Sequence, residues 1–149
     1  MKTPTSFDGH PLHPILVSFP IGLLGFSIIC DIIYMLHWGS SLWADVALYT
    51  MAGGIIGAII AAVPGLVDLN SIRDPRLKHI GVTHMTVNLV AVLSFIVNWL
   101  LRYTHSANYA LCFILSLIGI GLISFGGWLG ASLVHHFGVT VDEVPGRQR

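Results

Sequence analysis

Charge is what this chain has least of. Only 9% of its 149 residues are charged and 54% are hydrophobic, with a mean hydropathy of +0.80. A soluble globular domain carries about 25% charge, so the composition excludes that class and leaves an integral membrane protein. Seven basic and seven acidic residues balance to zero, which argues against nucleic acid as a partner, because such binding draws on a basic excess. Cysteine is scarcer still. Cys30 and Cys112 each stand alone in an apolar run, so neither a disulfide framework nor a thiolate metal site is indicated, and both read as small buried hydrophobes. No nucleophile–base pair, phosphate loop or HExxH pattern points to an enzyme. No solenoid-type repeat, low-complexity segment or cleavable signal peptide stands out, because the first residues are polar and proline-rich.

What is abundant is long apolar sequence. Four runs, about 15–36, 43–67, 80–101 and 109–134, are each long enough to cross roughly 30 Å of hydrocarbon as a helix. Short breakers part them: HWGSS, DLNSIRDPRLKH and RYTHSAN. Connections this short force antiparallel neighbours, so residues 1–149 are expected to form one all-α domain, a four-transmembrane-helix up-down bundle. Lys2, Arg73, Arg76, Lys78, Arg147 and Arg149 fall at one face of that bundle and only Arg102 at the other. The positive-inside rule then puts both termini and the middle loop in the cytoplasm. Trp38, Trp43, Tyr103 and Tyr109 mark the opposite interface.

On this topology the histidines segregate. His10 and His13 enter the first helix, and His79 and His84 the third, from the cytoplasmic face. His135 and His136 leave the fourth there, and Asp68 ends the second. Every helix thus delivers a metal-competent group to one end, while His37 and His105 lie at the other and read as solvated. His10 and His13 share a helical face if the turn through Pro11 is helical, and Pro14 suits a first turn. His84 lies roughly 7 Å deeper than His79. Asn88, four residues on, is placed to orient the His84 ring. Asp31 and Asp45 lie near the far face, where Arg102 or water would pair with them.

Neutral imidazole suits zinc, copper, iron or haem. The glycines of AGGIIGA (Gly53, Gly54, Gly57) and GIGLISFGGWLG (Gly119, Gly121, Gly126, Gly127, Gly130) offer a slot for a flat macrocycle, with Arg73, Arg76 and Lys78 near enough to meet propionates. The same glycines also fit plain small-xxx-small helix packing. His10, His13, His84 and Asp68, with His79 or His135, read equally as a compact site for zinc, non-haem iron or copper.

In order and spacing, GHPLHPILVSFPIG, PGLVDL, HMTVN, LLR and GWLGASLVHHFGVTV resemble the bacterial domain-of-unknown-function 2231 family of four-helix membrane proteins. The likeness runs from about Gly9 to Val141. The family pattern maps onto His10, Pro11, His13, Pro14, Pro20, Gly65, Asp68, His84, Asn88, Arg102, Gly127 and Gly130. Members joined to Rieske-type or cytochrome c domains imply membrane electron transfer in the bacterial inner membrane. The chain departs from the pattern at LVHHFGV, where Phe137 replaces a histidine, so no ligand role is carried there.

The leading expectation is a b-type haem held by His13 and His84, with His10 or His79 as fallback ligands, serving electron transfer with a redox partner protein. A non-haem His/Asp metal site is the alternative. A small transporter, acting as a homo-oligomer, and an accessory subunit are further readings.

Overall fold

The computed structural model describes residues 4–7 and 10–135. Lys2, His136, Arg147 and Arg149 lie outside the described residues, as does the side chain of His135. Four helices follow a short antiparallel ladder, in which β1 (Ser6–Phe7) pairs with β2 (His10–Pro11). The helices are α1 (Leu12–Met35), α2 (Leu42–Ser71), α3 (Pro75–Tyr103) and α4 (Tyr109–His135). All four are long and apolar enough to cross a membrane, and the protein is an all-α up-down bundle as expected. Large apolar side chains such as Phe19, Ile59, Leu89, Ile114 and Trp128 cover its outside, the surface lipid requires.

Local chemistry sets the helix ends. Asp74 caps α3 by accepting from the Arg76 and Leu77 amides at 2.8 and 3.3 Å, with Pro75 in the first helical position. Asn108 does the same for α4 through the Leu111 amide at 2.9 Å. The α2–α3 connection therefore shrinks to residues 72–74, far shorter than the polar composition around it suggests. Helix α2 has 30 residues, about 45 Å at 1.5 Å per residue, so it overshoots the hydrocarbon.

His37 and His105 have a backbone task. Each takes a left-handed conformation, φ 55° and 51°, just past the end of α1 or α3. His37 N–H donates to Tyr34 O and Trp38 N–H to Ile33 O, while His105 N–H donates to Arg102 O and Ser106 N–H to Leu101 O. Both helices thus close in the same Schellman turn, which satisfies carbonyls the helix leaves unpaired.

The helices pack closely within two hairpins, α1 with α2 and α3 with α4, and much more loosely between them. An apolar groove lined by Ile55, Ile56, Ile96 and Trp99 separates α2 from α3. Helices α1 and α3 face each other across the bundle centre. There Leu24, Met51, Ile55 and Phe95 form the core. Towards the loop end, α1 and α3 are joined by charge. Arg102 donates from both terminal nitrogens to Asp31, at 2.5 and 2.7 Å. Tyr109 donates to the same carboxylate at 2.6 Å, Arg102 Nε reaches Asn98 Oδ1 at 3.1 Å, and Asn98 donates to Ser116 Oγ at 2.8 Å. Asp31 is fully buried and Arg102 nearly so. The expected pairing of Asp31 with Arg102 therefore forms, but Tyr109 turns inward to join it instead of serving the interface.

Removing one partner strands a charge in an apolar interior, which costs about 3–5 kcal/mol. Asp31→Asn or Arg102→Met is expected to lower the unfolding midpoint in detergent by that measure. The double variant Asp31→Leu/Arg102→Met should lose less than the sum, because no charge remains unpaired. Replacing His37 or His105 with Gly should raise the midpoint by about 1 kcal/mol of left-handed strain, and replacement with Ala should not.

Candidate functional site

The end of the bundle that holds the start of α1, the α2–α3 connection and the end of α4 combines two imidazoles and the small residues beneath them with an apolar cluster of Leu69, Ile72 and Leu133. Helix α1 begins at Leu12, because Pro11 at its N-cap is extended (ψ 125°). His13 falls in the first turn. Its Nδ1 lies 2.8 Å from the carbonyl of Ala61 on α2. His84, on α3, places its Nδ1 2.7 Å from the carbonyl of Gly126 on α4. A carbonyl only accepts, so each ring donates from Nδ1 and keeps the lone pair on Nε2. That is the tautomer in which a histidine ligates metal through Nε2 while a backbone carbonyl orients it.

Glycine makes both approaches possible. A Cβ on Gly65 would lie 2.8 Å from the His13 ring, and one on Gly130 would lie 2.9 Å from the His84 ring. In each hairpin a small residue exposes the carbonyl and a glycine four residues later, one helical turn on, leaves room for the ring. The two rings then face each other across the bundle, with centroids 6.1 Å apart and planes perpendicular. Tyr103 lies 19 residues beyond His84 on α3, about 28 Å along the helix, so the pair sits near one edge of the hydrocarbon.

The remaining candidates are placed differently. Asn88 does not orient the His84 imidazole by accepting its proton. Its amide donates to the His84 backbone carbonyl at 2.8 Å and fills the space left by Gly126. The 3.3 Å approach of its Nδ2 to His84 Nδ1 joins two donors and is a contact only. Asp68 is buried but accepts from Thr5, at 2.5 Å from the hydroxyl and 3.2 Å from the amide, so it straps the N-terminal segment onto α2. His10 is exposed on β2. The shared helical face proposed for His10 and His13 does not form, because Pro11 is extended. His79, Arg73 and Arg76 are exposed around the α2–α3 connection, and Lys78 is half-buried there. His135 ends α4. Among the described residues no three His, Cys, Asp or Glu side chains gather as an ion would need.

Glycines 53, 54, 57 and 119 admit Leu23, Leu24, Phe19 and Phe95 from the neighbouring helix of their own hairpin. They serve close packing, while Gly121 and Gly127 meet nothing. The two carbonyls that fix the rings, and Thr5, had no side-chain signature to announce them. The small-xxx-small spacings Ala61/Gly65 and Gly126/Gly130 were the available signal.

No curated protein and no solved structure matches the chain. Over residues 9–143 it matches the model of DUF2231, described as a predicted membrane protein, and the chain belongs to that family of membrane proteins.

Proposed function

We propose that the protein is a membrane electron-transfer protein that binds b-type haem through His13 and His84. One observation carries the reading. Two imidazoles on facing helices both spend Nδ1 on a backbone carbonyl and both keep Nε2 for a ligand. Imidazole nitrogen binds metal at about 2.0–2.1 Å, and ring centroids 6.1 Å apart are close enough for both rings to hold one ion. The loose packing between the hairpins supports a flat group entering from the side. Bound there, haem would supply one-electron iron chemistry, with the chain setting its ligands and the polarity around it.

The chain's own residues would orient the rings, exclude water with apolar helix surface, and offer Arg73 and Arg76 near the site's outer edge to carboxylates. The same cations, with Lys78, support placing this end in the cytoplasm and the protein in the bacterial inner membrane. A redox partner protein would dock at that end. A four-donor zinc, iron or copper cage is less well supported, since Thr5 occupies Asp68 and His10 and His79 are exposed.

Protein purified from cells supplied with iron and a haem precursor is expected to show a Soret band and about one haem per chain by pyridine haemochrome assay. Protein that stays colourless after added hemin, with normal helicity, contradicts the reading. Gly65→Val and Gly130→Val should each shift the Soret band and let the reduced protein take up carbon monoxide while circular dichroism is unchanged, because the new side chain displaces a ligand ring by more than the small shift ligation tolerates.

A further inference from the structure

The two histidines are held alike, and the likeness extends along the whole bundle. On α1 and α3, positions repeat at one constant interval of 71 residues. Leu24, Ser27 and Asp31 of α1 recur as Phe95, Asn98 and Arg102 of α3, and all six are buried. His13 recurs as His84 at the same interval. On α2 and α4 a second constant interval turns Gly54, Ala61 and Gly65 into Gly119, Gly126 and Gly130.

Contacts repeat as well as positions. Leu24 fills the space over Gly54 as Phe95 fills that over Gly119, where an added Cβ would lie 2.6 Å from either side chain. His13 meets Ala61 O and Gly65 as His84 meets Gly126 O and Gly130. Helices α1 and α3 run in the same direction, so the two hairpins are related by a pseudo-two-fold axis along the bundle. Equivalent residues meet across that axis at three levels: His13 with His84, Leu24 with Phe95 in one core cluster, and Asp31 with Arg102.

We infer that the chain is a fused pair of equivalent helical hairpins, and that His13 and His84 are interchangeable donors on its pseudo-two-fold axis, ligating one metalloporphyrin from both faces. This rests on the haem reading above. It narrows the function, because a centre whose two faces are both taken by the chain has no position for oxygen, carbon monoxide or a substrate. Such a centre passes electrons and does no bond chemistry.

The test is made on the full chain. Reduced wild-type protein should not change its spectrum under carbon monoxide. His13→Gly and His84→Gly should each retain haem, bind carbon monoxide with the same spectrum, and recover the wild-type spectrum on adding imidazole, with imidazole affinities within about threefold of each other. Carbon monoxide binding by the wild type, or a change in only one of the two variants, overturns equivalent ligation. Equivalence of the hairpins is read separately and without ligand. Leu24→Phe and Phe95→Leu should each lower the unfolding midpoint, and the exchanged double variant should recover most of the loss. If the exchange is as damaging as both single changes together, the hairpins are not equivalent. Wild-type protein without haem that passes the exchange test would sink the haem reading and the ligation inferred from it, leaving the paired-hairpin architecture standing.

Discussion

A polar group carried into a bilayer has to find its partner within the protein, because hydrocarbon offers none. That constraint organises this bundle at both ends. At the loop end an arginine and an aspartate from diagonal helices meet in a two-point ion pair, closed by Tyr109, Asn98 and Ser116. At the other end two imidazoles find backbone carbonyls. Between them lie the apolar side chains of Leu24, Met51, Ile55 and Phe95, and the Ser27 hydroxyl buried beside them donates to Ala47 O. The pair Asp31–Arg102 fixes which face of α1 meets which face of α3, and that register is what sets His13 opposite His84.

The second organising feature is the absence of side chains. Close contact within each hairpin depends on glycine, and the glycines are used one by one, each beneath a particular neighbour on the facing helix. At two of them the neighbour is an imidazole. Pinning Nδ1 orders the ring, fixes its tautomer and leaves Nε2 as the acceptor, so preorganisation and chemical competence come from the same hydrogen bond. The looser contact between hairpins leaves the axis, where both rings stand, as the more yielding part of the bundle.

Much of this was legible in the residues. Four apolar runs read correctly as four helices, and a lone basic residue at the loop end anticipated the bond from Arg102 to Asp31. The helix ends were less legible. The stretch from Asp68 to His79 read as a connecting breaker, yet α2 runs to Ser71 and α3 starts at Pro75, so only residues 72–74 connect them. Before proline a residue is pushed towards extended backbone. His10 obeys that rule and leaves the site, while His13, also before a proline, lies in the first turn of α1. The repeat was hidden because equivalence rests on burial and contact. Leu24 and Phe95, or Asp31 and Arg102, share a place and not a chemistry.

The proposed function requires one iron to be held by the Nε2 atoms of both histidines. Electron paramagnetic resonance of the oxidised protein, with nitrogen couplings resolved after isotopic labelling of histidine, tests it most directly. A low-spin iron signal coupled to two imidazole nitrogens, reduced to one in His13→Gly and likewise in His84→Gly, is the predicted result. A signal without histidine nitrogen coupling, or one unchanged in either variant, contradicts it.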